Sequence, residues 1–427
     1  MSDSRAVSAA VPATEARAIG WQVWVPCLGM ALCSWLSFVD RQVLNILAPT
    51  IIKDTGLTNQ DFAAATSFFF LTYTLGNPVW GTVIDYIGLR KGMLLAVAVW
   101  TAASMSHSLM ASFAGFALAR AVLGIGEGGT FPGGLRTAVE TLSPTQRARG
   151  IALSFSGGTI GAVMMPLLLG PLAISYGWRN AFIATGLLGV LWMVLWAFIA
   201  RPPYLPAAAP RPHKATWPNF GERRVWSLIF SYALPAISPG PILTILALYL
   251  GQGLHMSQAE VNGVVWVPPL TWGIGYFFWG WAADKFAATN TRPIGMFLLL
   301  TVCSLTLGLA TWTTSSTLAI ALISFSTFIG GGFQMVALKV GSFAFPREQS
   351  AMMTGIASGS WSLVNYLLLN VMGAGVTIWG LRVLPGLGWL NAQRWGEIFW
   401  LIAVLPAVGV ALWMALSARQ AETASRT

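Results

Sequence analysis

The sequence predicts an all-α integral membrane protein: twelve transmembrane helices arranged as two six-helix halves. Three observations carry that expectation. The 427 residues are 56% hydrophobic and only 9% charged, against roughly 25% charged in ordinary soluble domains. Apolar runs recur along the whole chain, each near the ~20 residues that a helix needs to cross a bilayer. A Pro-rich, basic stretch at 201–224, RPPYLPAAAPRPHKATWPNFGERR, divides those runs near the midpoint. A water-soluble chain with a mean hydropathy of +0.67 would expose large apolar patches and aggregate. The 21 Trp and 45 Gly fit the same picture, because Trp anchors at bilayer interfaces and Gly lets helices approach.

Residues 1–20 read as a polar tail. The first run, 21–49, contains WVPCLGMALCSWLSFV. It is too long for the apolar core of a signal peptide and is expected as a retained helix. Runs at 60–85, 90–110, 113–141, 149–174 and 179–200 complete a first bundle over 21–200. The stretch 201–224 is too short for a soluble domain and reads as a linker. Runs at 225–251, 258–284, 292–312, 316–345, 350–379 and 395–418 form a second bundle over 225–418, followed by a tail at 419–427. The fifth, tenth and eleventh runs carry Gly or Pro inside apolar sequence and are expected to kink. Membrane helices tolerate this where neighbours satisfy the freed backbone groups.

The net charge of +10 is spread over short loops. No basic block tracks phosphates, so nucleic acid is not an expected partner. With the N-terminus inside, sixteen Lys and Arg fall in inside segments and four outside (Lys53, Arg179, Arg382, Arg394). Both termini are therefore expected in the cytoplasm, in a bacterial inner membrane. The remaining four cations, Arg41, Arg120, Arg136 and Lys339, lie within runs. Three scattered Cys and three scattered His suggest neither disulfides nor a metal site, and His107 is expected at an interface. No phosphate-binding loop G-x-x-x-x-G-K-[ST] occurs, which disfavours ATP-driven pumping. No nucleophile or metal cluster supports an enzyme.

Two pairs of charges stand inside apolar sequence: Asp40-Arg41 and Arg120…Glu127. A charge at the centre of a membrane helix costs about 2.5–3.5 kcal/mol on insertion scales, and such residues are functional by default. Arg120 and Glu127 are seven apart, so they share a helix face about 10 Å apart along the axis. Direct contact between them is not expected; each is placed to meet Asp40 or Arg41 on the first helix. Adjacent Asp40 and Arg41 point about 100° apart. Arg41 and Arg120 suit bidentate contacts to a carboxylate. Asp40 and Glu127 are the candidate proton carriers. Protonating a carboxylate frees its Arg partner, which links proton to anion movement.

The loop after the second run reads Gly81-x-x-x-Asp85-x-x-Gly88-x-Arg90-Lys91. It is similar to the signature G-x-x-x-D-R-x-G-R-R/K of the major facilitator superfamily, with Tyr86 where the family has Arg and Leu89 also departing. A second copy, Gly280-Trp-Ala-Ala-Asp284, ends the eighth run. The fourth run and its loop read Gly124-Ile-Gly-Glu127-Gly-Gly-Thr-Phe131-Pro132-Gly-Gly-Leu-Arg136, then Ser143-Pro144-Thr-Gln-Arg147. That resembles the fourth-helix pattern of the anion:cation symporters within that superfamily, which include hexuronate and galactonate transporters and sialin-like proteins. Phe38-Val39-Asp40-Arg41, Tyr73 and Gly177-Trp-Arg-Asn-Ala-Phe182 match the same family. The resemblance thins in the second half. ISPGPILTILALYL lacks the family's seventh-helix Trp-Phe-Pro, and Gly157-Gly158-Thr159 stands where the fifth helix usually carries Gln.

The resemblance implies a major facilitator fold and a proton-coupled symporter that imports a small organic anion, a sugar acid or another monocarboxylate, by alternating access. It assigns proton coupling to Asp40 and Glu127 and substrate binding to Arg41 and Arg120. Tyr73, Trp361, Asn365, Gln334 and Lys339 are further candidates for the substrate site. Asp85, Arg90, Lys91, Asp284 and Arg136 are candidates for a cytoplasmic gate. Arg136 and Lys339 also suit simple snorkelling to the interface. No cofactor is expected besides the coupling proton, and the expected partners are the substrate and the lipid bilayer around a monomer. An exporter or antiporter on the same fold, and a transporter-like ligand sensor, are the alternatives.

Overall fold

The computed structural model describes residues 20–143, 146–205, 218–286, 294–344, 347–378 and 381–424. Residues 1–19 of the expected tail, 206–217 of the linker and 425–427 lie outside these. Helices occupy the expected runs in order. In the first half these are α1 (Val25–Ile46) with the short α2 (Ala48–Thr55), α3 (Asn59–Ile87), α4 (Leu89–Ser106), α5 (Phe113–Glu127) with α6 (Thr130–Thr141), α7 (Arg147–Tyr176) and α8 (Trp178–Ile199). In the second half they are α9 (Arg223–Ala233) with α10 (Pro239–Leu248), α11 (Gln258–Val264) with α12 (Val267–Phe286), α13 (Ile294–Ser304) with α14 (Thr306–Leu309), α15 (Ser316–Ala344), α16 (Arg347–Met372) and α17 (Trp395–Ala424). Six of these stretches are long and apolar enough to cross a membrane by length and composition. On α8, Leu187, Leu191 and Phe198 are more than half exposed, as side chains facing lipid would be.

Local chemistry sets the ends of the elements. Thr58 caps α3 in a reciprocal capping box with Asp61, and Ser257 does the same for α11 with Glu260. Between α3 and α4 a single residue, Gly88, turns the chain at φ 85°; Gly177 does so between α7 and α8 at φ 84°. A side chain at either position would be strained. Gly88 of the loop motif is thus required for backbone conformation. Gly81, by contrast, has only Pro132 near its open face, at 3.8 Å.

One expectation needs correction. The eleventh run was expected to be helical to 379, but α16 stops at Met372. After a turn at Gly373–Ala374, β1 (Gly375–Ile378) pairs antiparallel with β2 (Leu381–Pro385), Gly375 opposite Pro385. Gly375 at φ 90° breaks the helix, and β-branched Val376, Thr377 and Ile378 favour extended backbone. Interrupted helices occur in other runs. α7, α15 and α16 are each a single helix, whereas the fourth, seventh, eighth and ninth runs are divided. The fourth breaks at Gly128-Gly129, and the seventh at Pro235 and Pro239. In α7 the glycines serve packing instead. A Cβ on Gly157 would overlap the carbonyl oxygen of Ala31, and one on Gly161 would lie 2.5 Å from that of Trp35. α1 and α7 are therefore in backbone contact, the small-residue packing that membrane helices use.

The halves meet along α3 and α16, α7 and α12, and α1 and α10. At the end of the molecule opposite Trp21, amides and hydroxyls join them. Asn59 Nδ2 donates to Gln252 Oε1 at 2.7 Å and to the Leu390 carbonyl at 3.0 Å. Thr50 Oγ1 donates to Gln258 Oε1 at 3.1 Å, Gln258 Nε2 to the Ile46 carbonyl at 3.1 Å, and the Gln60 amide to Asn391 Oδ1 at 2.9 Å. Deeper in, Asn370 Nδ2 donates to Ser67 Oγ at 2.7 Å and Thr74 Oγ1 to the Gly359 carbonyl at 3.2 Å.

Candidate functional site

A cavity of about 480 Å³ lies between the halves. It falls in the size range of small-molecule sites. From the first half α1, α3, α5, α6 and α7 line it; from the second, α9, α10, α12, α15 and α16. The helical period explains the α1 contribution: Phe38, Arg41, Gln42 and Asn45 recur at three- and four-residue spacing and share one face.

Arg41 lines the cavity and is mostly buried. Its Nε donates to Glu127 Oε2 at 2.5 Å. Its guanidinium carbon sits 5.0 Å from the Phe38 ring, 4.8 Å from Phe69 and 4.7 Å from Tyr73, within cation–π range. Glu127 has no solvent exposure. Its Oε2 also accepts from Ser37 Oγ at 2.9 Å, while Oε1 accepts no hydrogen bond. Glu127 thus stands one layer behind the cavity and holds Arg41 from the rear.

Arg120 is 1% exposed and lines the cavity. Among the described residues its one hydrogen bond is long, Nη2 to the Arg41 carbonyl at 3.5 Å, and Nε has no acceptor. Among the described residues Arg120 forms no ion pair. A buried guanidinium with unspent donors is costly, and an anion entering the cavity would relieve that cost. Asp40 points elsewhere, as the ~100° between adjacent helical residues allows. It is 2% exposed, and its Oδ1 accepts from Ser104 Oγ at 2.7 Å; that hydroxyl lies 3.2 Å from Thr185 Oγ1. Asp40 therefore faces α4 and α8, away from the cavity.

The structure places the other candidates as follows. Tyr73 lines the cavity and stacks on Phe69 with centroids 5.5 Å apart. Trp361 lines it too, with Nε1 donating to the Ala236 carbonyl at 2.7 Å. Gln334 lines it, its Oε1 accepting from Trp272 Nε1 at 3.1 Å. Asn365 is fully buried but is not among the lining residues. Its Nδ2 donates to the Trp361 carbonyl at 2.8 Å, and its side chain fills the space beside Gly240. It braces α16 against α10. The side chains of Lys339 and Asp284 lie outside the described residues. At the end near Trp21, Arg136 Nη1 pairs with Asp85 and Arg136 Nε with Glu140. Arg90 donates to the Ala197 carbonyl at 3.0 Å, and Lys91 is exposed.

His107, expected at an interface, follows the end of α4 and is fully buried. It stacks on Phe182 with centroids 5.0 Å apart and an 11° interplanar angle, and Nδ1 lies 2.7 Å from the Ala103 carbonyl. The cause is α8, which packs across the end of α4. Ser37, Ser104 and Thr185, the neutral partners of the two carboxylates, escaped the sequence reading because a lone hydroxyl in an apolar run carries no pattern. So did Tyr232, Trp272 and Tyr276 of the second half.

Comparison with known proteins agrees with this architecture. A galacturonate transporter of Dickeya chrysanthemi is 22% identical over 265 residues, covering 58% of this chain and 77% of that protein. A hexuronate transporter of Escherichia coli strain K12 is 21% identical over 379 residues, covering 82% and 87%. A probable sulfoacetate transporter of Cupriavidus necator is 29% identical over 174 residues, 40% of each chain. Among solved structures, a bacterial homologue of the human lysosomal transporter Spinster, in an inward-facing, unoccupied conformation, superposes with a TM-score of 0.73. It covers 94% of this chain and 98% of that one at 19% identity, so that likeness shows the fold alone. The family description for the Major Facilitator Superfamily matches residues 30–367. The chain is a membrane transporter, not an enzyme, and belongs to the major facilitator superfamily.

Proposed function

We propose that the protein is a proton-coupled symporter that imports a small organic monocarboxylate through the cavity between its halves. One observation carries the reading: the buried Arg120 lines that cavity with no ion-pair partner among the described residues, beside an Arg41 already held by Glu127 at 2.5 Å. Arg120 is a standing receptor for a carboxylate; Arg41 is a conditional one. An incoming anion competes with Glu127 for Arg41, and a proton on Glu127 settles that competition in favour of the substrate. Return of the proton to the other side restores the ion pair and expels the anion. Asp40, separated from the cavity but within the same polar layer as Ser104 and Thr185, is the second proton site. The sugar-acid and sulfoacetate transporters among its relatives support an organic anion as cargo.

The test is uptake of labelled carboxylic acids into proteoliposomes under an imposed inward proton gradient. Uphill accumulation that collapses with a protonophore, and is lost in Arg120→Gln, is the expected result. Uphill export of a cation, with no anion uptake, would replace the reading with an exporter on the same fold.

A further inference from the structure

We infer that the cargo is an aromatic monocarboxylate rather than a polyhydroxylated sugar acid; this rests on the anion-transport reading and deepens it. The cavity is built with two unlike poles. Every buried lining atom left without a hydrogen bond belongs to the first half: Asn45 Oδ1, Thr66 Oγ1, Thr130 Oγ1 and Arg120 Nε. Both described cations of the lining, Arg41 and Arg120, are there as well. This is the pole for a carboxylate.

The second half offers rings. Tyr232, Trp272, Tyr276, Phe277 and Trp361 line it, with Leu243 and Met335 between them. Among the described lining residues of this half there is no charge, and several of its polar atoms are spent within the protein. Gln334 Oε1 accepts from Trp272 Nε1 at 3.1 Å, Thr244 Oγ1 donates to the Gly240 carbonyl at 3.0 Å, and Trp361 Nε1 donates to the Ala236 carbonyl at 2.7 Å. On the first-half side the apolar surface continues through Phe38, whose ring centroid is 6.2 Å from that of Trp272, and through Phe131 stacked on Phe155 at 5.2 Å. The hydroxyls of Ser156 and Ser34 are also turned to backbone carbonyls, of Leu153 at 2.8 Å and Phe155 at 3.4 Å.

A sugar acid carries a hydroxyl on nearly every carbon, and each would need a partner here. A buried hydroxyl left unpaired weakens binding about tenfold. A benzene ring needs none, and it gains edge and face contacts from the surrounding rings. The positions where this chain departs from the sugar-acid transporter pattern, Gly158 and Thr159 in α7 and the Pro-rich start of α10, border this same apolar pole. At Gly158 the Phe38 ring packs into the space a side chain would take, so this border presents a ring instead of an amide.

The experiment measures binding of a defined panel to the purified full-length protein in detergent, by thermal shift and by competition in proteoliposome uptake. The panel is benzoate, phenylacetate, 4-hydroxybenzoate, galacturonate, galactonate, propionate and the neutral benzamide. The expected result is that one of the aromatic acids binds at least tenfold more tightly than either sugar acid and than propionate, and that benzamide binds at least tenfold more weakly than benzoate. A sugar acid or propionate binding as tightly as the best aromatic acid overturns the aromatic assignment and leaves the anion reading standing. Benzamide binding as well as benzoate, or no acid binding at all, overturns both.

Discussion

Replacing Glu127 by Gln removes one negative charge from behind the cavity and changes almost no volume. Glu127 Oε2 holds Arg41 Nε at 2.5 Å and Ser37 Oγ at 2.9 Å. A Gln side chain keeps an oxygen at that place, so both hydrogen bonds survive as neutral acceptors. The loss is the charge-assisted share. Hydrogen bonds to charged groups contribute about 1.5–3 kcal/mol and neutral ones about 0.5–1.5 kcal/mol. The difference, about 1–1.5 kcal/mol, is about a tenfold change in the competition between the rear acceptor and an incoming carboxylate for Arg41. Glu127→Gln should therefore bind substrate up to about tenfold more tightly at neutral or alkaline pH and lose the dependence of that affinity on pH. It should still exchange labelled for unlabelled substrate across a proteoliposome membrane, and it should no longer accumulate substrate against a gradient when a proton gradient is applied. Uptake driven uphill as in the wild type would refute the coupling role of Glu127. Loss of exchange, in a variant whose thermal melting is unchanged, would refute the view that the residue only competes for Arg41.

Gly157→Ala should destabilise the protein by about 1–3 kcal/mol, because the new methyl meets the Ala31 carbonyl with no rotamer to escape into. The thermal melt should fall, while Gly263→Ala, which meets nothing within 4 Å, should not lower it. Asp85→Asn should slow turnover more than it weakens binding, since it removes an ion pair to Arg136 far from the cavity; unaltered turnover in single-turnover flux measurements would remove Asp85 from the gate. Asp54 accepts from Arg179 Nη1 at 2.6 Å and from Trp178 Nε1 at 3.1 Å, which hold its carboxyl below the usual carboxylate range. A carboxylate lowered on folding adds stability above its unfolded pKa of about 3.9, and that stability is lost as pH falls through the folded value. The melting difference between wild type and Asp54→Asn should accordingly be present at pH 7 and vanish on acidification below the carboxylate range; a difference that persists in strong acid would mean that the Asp54 charge is not its source.

The fold was legible because a bilayer imposes length and apolarity on each crossing, and those are one-dimensional quantities. Segments went astray where the deciding interaction was three-dimensional. In 373–379 only the glycines and the short β-branched run Val376-Thr377-Ile378 mark a hairpin, too little to set against an apolar helical run. α7 runs unbroken because its glycines abut α1, and that contact has no trace in the sequence of α7 alone. The charged layer was equally legible: charge inside apolar sequence is rare enough to be read singly, and helical spacing already forbade an Arg120–Glu127 pair. It could not show which charges of α1 would be met: Glu127 takes Arg41, whereas Asp40 turns to Ser104 and not to Arg120. Asn365 illustrates the opposite failure. An amide inside a run needs partners, but the sequence is silent on what they are; here Nδ2 donates to the Trp361 carbonyl, while Oδ1 packs beside Gly240 without a hydrogen bond.

The hydrogen bonds that join the halves at the end opposite Trp21 are made almost entirely by uncharged groups, Asn59, Gln252, Gln258, Thr50 and Asn391 among them. At the other end the described polar contacts include ion pairs, Asp85 and Glu140 on Arg136, with Asp85 half exposed. Mobile ions screen exposed charges over about 8–10 Å at physiological salt but leave amide hydrogen bonds almost untouched. Salt would then screen the exposed ion pairs at either end, Asp85–Arg136 at one and Asp54–Arg179 at the other, and leave the bonds that join the halves almost unchanged. A carrier whose halves are joined at that end by amides and hydroxyls would keep this latch through swings from dilute to saline, whichever side of the membrane it faces.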